Sequence, residues 1–227
     1  MLIYPQVMSR IAIVAVLSLG ALTGRAQDAS RLSGRVEGGM YAAANGAYRL
    51  PIPVRAELGG GISDTPTSVT FEDAYTTHIS IAAVPQDPTQ RWQLSTRGTK
   101  DYLVYFFTEF VLRDFKKVFG NVRVESTGVY LPHLLDGAFV TYVLIPGGSM
   151  FSSRLQVVAS DREPPVAKRG NLIFVRNGLI FVVSIELAER VLEGRAYAGT
   201  SDEENALLKA RLVETASRIE FLKRPYP

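Results

Sequence analysis

The sequence predicts an α+β domain, a mainly antiparallel sheet with two amphipathic helices packed on it. Three observations carry this. Apolar or alternating runs are joined by turn dipeptides at Asn45-Gly46, Asp136-Gly137 and Asn177-Gly178, which close hairpins between antiparallel strands. Two longer segments, from Thr99 to Phe119 and from Ser201 to Ile219, repeat apolar residues at helical spacing. Strands and helices do not alternate one for one, so a doubly wound parallel sheet is not expected.

Taken in order, residues 27–38 are polar and are read as a flexible lead-in, with structure starting at Met40-Tyr41 in a single domain over 39–227. Met40 to Leu50 forms a hairpin, ended by Pro51 and Pro53, which lack ladder donors. Gly59-Gly60-Gly61 is a loop. Ser68 to Asp73 and His78 to Val84 alternate and form a strand pair. Pro85 to Arg97, with two prolines and the only tryptophan, Trp92, reads as a polar loop. The first helix has Thr99 as N-cap, Gly120 as its stop and a stripe of Val104, Phe107, Val111, Phe115 and Val118. Leu103, Phe106 and Phe110 widen that stripe, whereas Tyr102 and Tyr105 are less clearly buried.

Val122 to Leu131 and Ala138 to Ile145 are strands around the Asp136-Gly137 turn, and Arg154 to Ala159 is a further short one. Leu172 to Val175 and Leu179 to Ile185 are almost entirely apolar, which places their hairpin at the sheet centre. Ser201 and Glu204 match a capping box for the second helix, whose stripe is Leu208, Leu212, Thr215, Ala216 and Ile219. Phe221 closes a last short strand. A transmembrane barrel has no place for two such helices.

The N-terminus reads as an export signal. Arg10 supplies the positive start, Ile11 to Gly24 is uncharged, and Gly24-Arg25-Ala26 brings small residues before a polar run. The alternative, an uncleaved anchor, needs roughly 20 apolar residues and has fewer. Cleavage after Ala26 makes 1–26 the signal peptide and the remainder an exported protein, periplasmic or extracellular, without a transmembrane span. Arg10 and Arg25 leave with it, so 23 basic residues face 22 acidic ones, a net of +1, and the nucleic-acid reading loses its support. With no cysteine, disulfides, thiolate catalysis and cysteine-bound zinc are excluded, and the core alone must hold the fold.

This order of elements resembles the PsbP-like α/β/α fold across Met40 to Phe221, through the Asn45-Gly46 hairpin, the Ser68 to Asp73 strand, the aromatic helix, the Asn177-Gly178 hairpin and the closing capped helix. The resemblance is one of layout, without a diagnostic motif. It implies a non-enzymatic accessory or binding role and carries over no site residues.

Candidate chemistry is sparse. His78 and His133 are the only histidines; a metal would need them to converge with Glu72, Asp73 or Asp136, and their spacing matches no ligand motif. No metal and no cofactor is expected. Serine hydrolysis lacks the G-x-S-x-G turn, and Gly147-Gly148-Ser149 is the nearest approach to it. Asp73, Glu125, Asp136 and Asp161 lie near strand ends, and nothing singles out a glycosidase pair. Gly59-Gly60-Gly61 lacks the lysine of a phosphate loop. One surface stands out: Arg91, Trp92 and Arg97, residue types typical of binding hot spots, unless Trp92 tucks over the sheet edge. The leading expectation is an exported binding or accessory protein of the cell envelope, with an unknown protein or small-molecule partner. The alternatives are an exported hydrolase with a dispersed site, which needs His78 or His133 in a cleft beside a serine or carboxylate, and a lipid or small-ligand carrier, which needs a cavity lined by Phe106, Phe107 or Phe110.

Overall fold

The computed structural model describes residues 32–151 and 165–222; the expected signal peptide over 1–26 and the expected strand from Arg154 to Ala159 lie outside the described residues. The chain forms two antiparallel sheets. The large one orders its strands β4 (Gly61–Thr65), β5 (Ser68–Glu72), β6 (His78–Pro85), β10 (Leu179–Glu186), β9 (Val166–Arg176), β8 (Ala138–Pro146) and β7 (Arg123–Leu131). The small one orders β1 (Arg35–Glu37), β2 (Met40–Ala42), β3 (Tyr48–Pro51) and β11 (Glu220–Phe221). The α+β layout is as the sequence predicts.

Of the turn dipeptides only Asn177-Gly178 closes its hairpin by itself; Asn45-Gly46 and Asp136-Gly137 lie within longer loops, over 43–47 and 132–137. Asn177 and Gly178 both take positive φ, 51° and 70°, the geometry that a two-residue hairpin matched to strand twist requires. The resulting β9–β10 pair is central, with Phe174 directly opposite Phe181 and their rings stacked 5.0 Å apart. The strand at Arg35–Glu37 lies within the segment read as a lead-in, and its three residues are all exposed. It is tied down from β4, because the Asp64 carboxylate accepts from the amides of Ser33 and Gly34 and from the Tyr41 hydroxyl at 2.7–2.8 Å. Gly61, read as loop, begins β4 and pairs with Glu72.

Because side chains alternate along each strand, the large sheet has two covered faces. One packs on the small sheet and on α5 (Ser201–Ser217) through Tyr48, Leu50, Phe71, Phe181, Leu208 and Leu212. The other packs on the helical layer of α2 (Thr99–Phe106), a π-helical stretch (Phe107–Leu112), α3 (Arg113–Phe119) and α4 (Ala188–Leu192).

The aromatic helix departs from its predicted stripe. Val104 and Val118 are exposed, while Tyr102, Leu103, Phe106, Phe107, Val111 and Phe115 are buried. The π-helical stretch is the reason. Its i→i+5 bonds widen the turn, so residues spaced by four, Leu103, Phe107, Val111 and Phe115, stay on one line instead of drifting around the helix. The N-cap is Gly98, without a side-chain bond, rather than Thr99.

The α5 cap is shifted by one residue from Ser201/Glu204. Thr200 and Glu203 form the box, with the Thr200 hydroxyl accepting from the Glu203 amide and Glu203 accepting from the Thr200 amide. Glu204 instead turns inward and is buried. Where α5 crosses β9, a Cβ on Gly170 would come within 2.9 Å of Leu212 and 3.2 Å of Leu208. Gly170→Val is therefore expected to push the helix off the sheet and cost about 1–3 kcal/mol of overpacking strain. A urea midpoint equal to that of the parent protein would refute this close approach.

Candidate functional site

The residues singled out on the surface do not lie on a loop. Pro88–Arg97 is a helix, α1, started by a capping box in which Asp87 accepts from the Gln90 amide at 2.7 Å and the Gln90 side chain accepts from the Asp87 amide at 3.0 Å. Pro88 occupies the first turn, where its missing N–H costs nothing. Asp87-Pro88-Thr89-Gln90 was the available signal for this helix. It is easily overlooked because the helix has almost no apolar stripe: only Leu94 packs on the core, and partly.

Trp92 does not tuck over the sheet edge; it is 64% exposed. Its backbone carbonyl accepts from the Ser95 and Thr96 hydroxyls at 2.8 and 2.9 Å. Arg91 is pinned by a bond from its guanidinium to the Gln86 carbonyl at 2.8 Å. Arg97 lies 4.6 Å from the centroid of the Tyr105 ring, a cation–π contact. Below them Tyr102 is fully buried and its hydroxyl takes a bond from Gln86 at 3.3 Å. Burial lifts that phenol to about 12, Gln86 pulling the other way. Arg91, Arg97 and Lys100 are all exposed, and no acidic residue stands between Asp87 and Asp101. The structure thus brings Arg91, Trp92 and Arg97 onto one short, capped, basic helix.

The other candidates among the described residues do not converge, and Asp161 lies outside those residues. His133 is exposed and His78 is buried, with Nε2 of His78 unpartnered. Neither imidazole bonds a serine or carboxylate, so the hydrolase geometry is not assembled among the described residues. Asp73 is spent on its own turn, accepting amides of Tyr75, Thr76 and Thr77; burial alone would raise its carboxyl, but those amides hold it below the usual range. Asp136 pairs with Arg176, and Glu125 with Lys168 and Ser201. Among the described residues no group of three metal-ligating side chains forms. Phe106 and Phe107 are buried in the core under the helical layer, and Phe106 stacks on Phe110 at 5.0 Å rather than standing over a carrier cavity.

Sequence reasoning missed a polar band inside the sandwich. Thr70, Ser80, Ser184, Asn171 and Thr141 stand opposite one another across five strands, on the face beneath α2 and α3. The Thr70 and Ser80 hydroxyls bond at 3.1 Å, and Ser184 donates to Asn171 at 2.9 Å. At the end of that band Arg169 and Glu186, both buried, form an ion pair at 3.2 Å. Glu186 also accepts from Ser149 Oγ at 2.6 Å and from the Met150 amide, while Arg169 donates to the Gly148 carbonyl at 3.0 Å. The Gly147-Gly148-Ser149 segment, weighed as a nucleophile turn, is a loop clamped by this pair.

Fold and site together define an α+β domain with a basic, tryptophan-bearing helix on its surface. Among solved structures the chain is similar to the cyanobacterial PsbP (CyanoP) of Synechocystis, with 13% identity and a TM-score of 0.47 over 81% of this chain and 91% of that one. It is also similar to the Ran-binding protein Mog1p of Saccharomyces cerevisiae, with 10% identity and a TM-score of 0.49 over 80% and 94%. A protein of Bacteroides thetaiotaomicron matches at 12% identity and a TM-score of 0.40 over 85% of this chain; the chain spans about half of that protein, 52%. These likenesses concern the fold alone. No protein-family model and no curated protein matches the chain.

Proposed function

We propose that the chain is an exported, non-enzymatic binding or accessory protein of the cell envelope that docks an acidic partner protein through α1, with Trp92 at the centre of the contact. The observation that carries this is the exposure of Trp92 at 64% on a capped helix. Leaving a large indole in water is unfavourable, and such an anchor gains most when a partner desolvates it. Arg91 and Arg97 share its helix, and no acidic residue lies between Asp87 and Asp101 in the sequence, which favours a partner carrying carboxylates around an apolar notch. The signal-like sequence over 1–26 supports export.

Trp92 is the chain's only tryptophan, so its fluorescence reports on this site alone. A photo-crosslinking residue at position 92, introduced in the native host, is expected to capture a protein that the same residue at exposed Ser217 does not. Adding that purified protein should shift Trp92 emission to the blue. Trp92→Ala should weaken binding by about 2 kcal/mol or more while leaving the fold intact, and added salt should weaken it further. Unchanged emission, together with full affinity of Trp92→Ala, would rule out this face.

A further inference from the structure

Two polar groups in the band at the centre of the large sheet are left without a protein partner. Asn171 on β9 and Thr141 on β8 stand directly opposite each other and are 0% and 1% exposed. The Asn171 Oδ1 atom accepts from Ser184 Oγ at 2.9 Å, which orients the amide and leaves Nδ2 as an unspent donor. Thr141 Oγ1 is unspent as well. The two atoms therefore do not bond each other, although their residues are neighbours across the ladder. Their companions differ: the Thr70 and Ser80 hydroxyls satisfy each other, and Ser184 is used by Asn171. Leaving a buried donor or hydroxyl unpaired costs more than an ordinary hydrogen bond contributes.

The π-helical stretch passes over this point. Phe107, at its start, meets the ring of Phe139, which lies two residues before Thr141 on the same face of β8. Phe115, three residues past its end, approaches the guanidinium of Arg169, two residues before Asn171 on the same face of β9. In the β8–β9 register, Phe139 pairs with Ile173, Thr141 with Asn171 and Val143 with Arg169. A helix anchored on the first and third of these rows crosses the second. An i→i+5 turn is rare, is wider than an α turn, and often accompanies a local site.

We propose that a single water molecule is bound here, accepting from Asn171 Nδ2 and bonded to Thr141 Oγ1, sealed beneath the π-helical turn. The two groups supply the two polar partners that a buried water needs. Phe107, Phe115 and Phe139 around it are buried core residues, which suits an occupant of that size and no larger one. The site is independent of the proposed α1 docking surface.

The test is a crystal structure of the natively processed protein at a resolution that orders internal water, with urea unfolding of two variants. An oxygen peak is expected within hydrogen-bond distance, about 2.7–3.2 Å, of both Asn171 Nδ2 and Thr141 Oγ1. Thr141→Val keeps the shape but not the hydroxyl; it should lose the peak and lower the folded-to-unfolded ratio by about tenfold. Thr141→Ser keeps the hydroxyl and should keep the peak. A parent crystal with no such peak would overturn the proposal. So would a Thr141→Val variant as stable as the parent or more so, because a hydroxyl that bonds nothing is better replaced by a methyl group. The peak is read in the parent protein, so it decides the matter even if Thr141→Val does not fold.

Discussion

Replacing Arg169 with methionine is expected to lower stability by about 3–5 kcal/mol, the cost of leaving one member of a buried ion pair without its partner. Glu186 is fully buried and its carboxylate has two kinds of neighbour: the Arg169 guanidinium, and the hydroxyl and amide of the Ser149 to Met150 segment. Without the guanidinium, the Gly148 carbonyl also loses its donor. Phe115 and Phe119 lie within 6 Å of the Arg169 guanidinium carbon, at 5.7 and 5.8 Å, so no water-filled route opens easily to solvate what remains. Glu186→Gln is expected to be milder than Arg169→Met, because an amide keeps one acceptor for Ser149. The double variant Arg169→Met/Glu186→Leu should recover much of the loss, since buried pairs are often replaceable by apolar residues of similar size. Urea unfolding of the two single variants and the double measures the coupling. Losses that simply add would show that the two charges do not act as a pair.

That pair also marks where the sequence stops being legible. Lys168 and Arg169 are adjacent on β9, and strand alternation sends them to opposite faces. Lys168 goes under α5 to Glu204 at 2.8 Å and to Glu125; Arg169 goes under the helical layer to Glu186. The alternation is visible in the sequence, but the partners lie on other elements and no local spacing announces them. The same inward demand decides the α5 cap. Thr200-Ser201-Asp202-Glu203-Glu204 satisfies two overlapping cap patterns. The register that wins leaves Glu204 free to reach Lys168 and Arg190. By contrast, the β9–β10 hairpin was readable because its turn dipeptide and its apolar arms are local facts. The α1 helix was not, because its evidence lies in a cap rather than a stripe, and its largest side chain points outward. Trp92 was therefore identified as a residue but not as part of a helix. The π-helical stretch, which keeps four-residue spacing in line, left no sequence signal distinct from an ordinary amphipathic pattern.

Acid should destabilise the protein well before its carboxylates protonate, and His78 is the cause. Its side chain is buried on β6 against Phe151, with ring centroids 6.4 Å apart. Burial and the nearby Arg169 charge push the imidazole down from 6.5 to about 3, against a bond to its own backbone that favours the proton. Arg169 is itself shifted down by burial, with Glu186 opposing, so the local field on His78 is that of a dry and charged interior. A histidine that is neutral when folded and titrates normally when unfolded binds more protons in the unfolded chain. Its contribution is therefore fully present above pH 6.5 and is lost as pH falls from there toward about 3. The slope approaches about 1.4 kcal/mol per pH unit within that window, and the whole interval is worth on the order of 5 kcal/mol. The loss between about pH 6.5 and 5, about 2 kcal/mol, falls above the ordinary carboxylate range and belongs to His78. His78→Gln, which cannot take up a proton here, should flatten the dependence in that range whatever it does to stability at neutral pH. Urea midpoints at a series of pH values compare the two slopes. Parallel slopes in the parent and His78→Gln would mean that the imidazole is not held neutral by the fold.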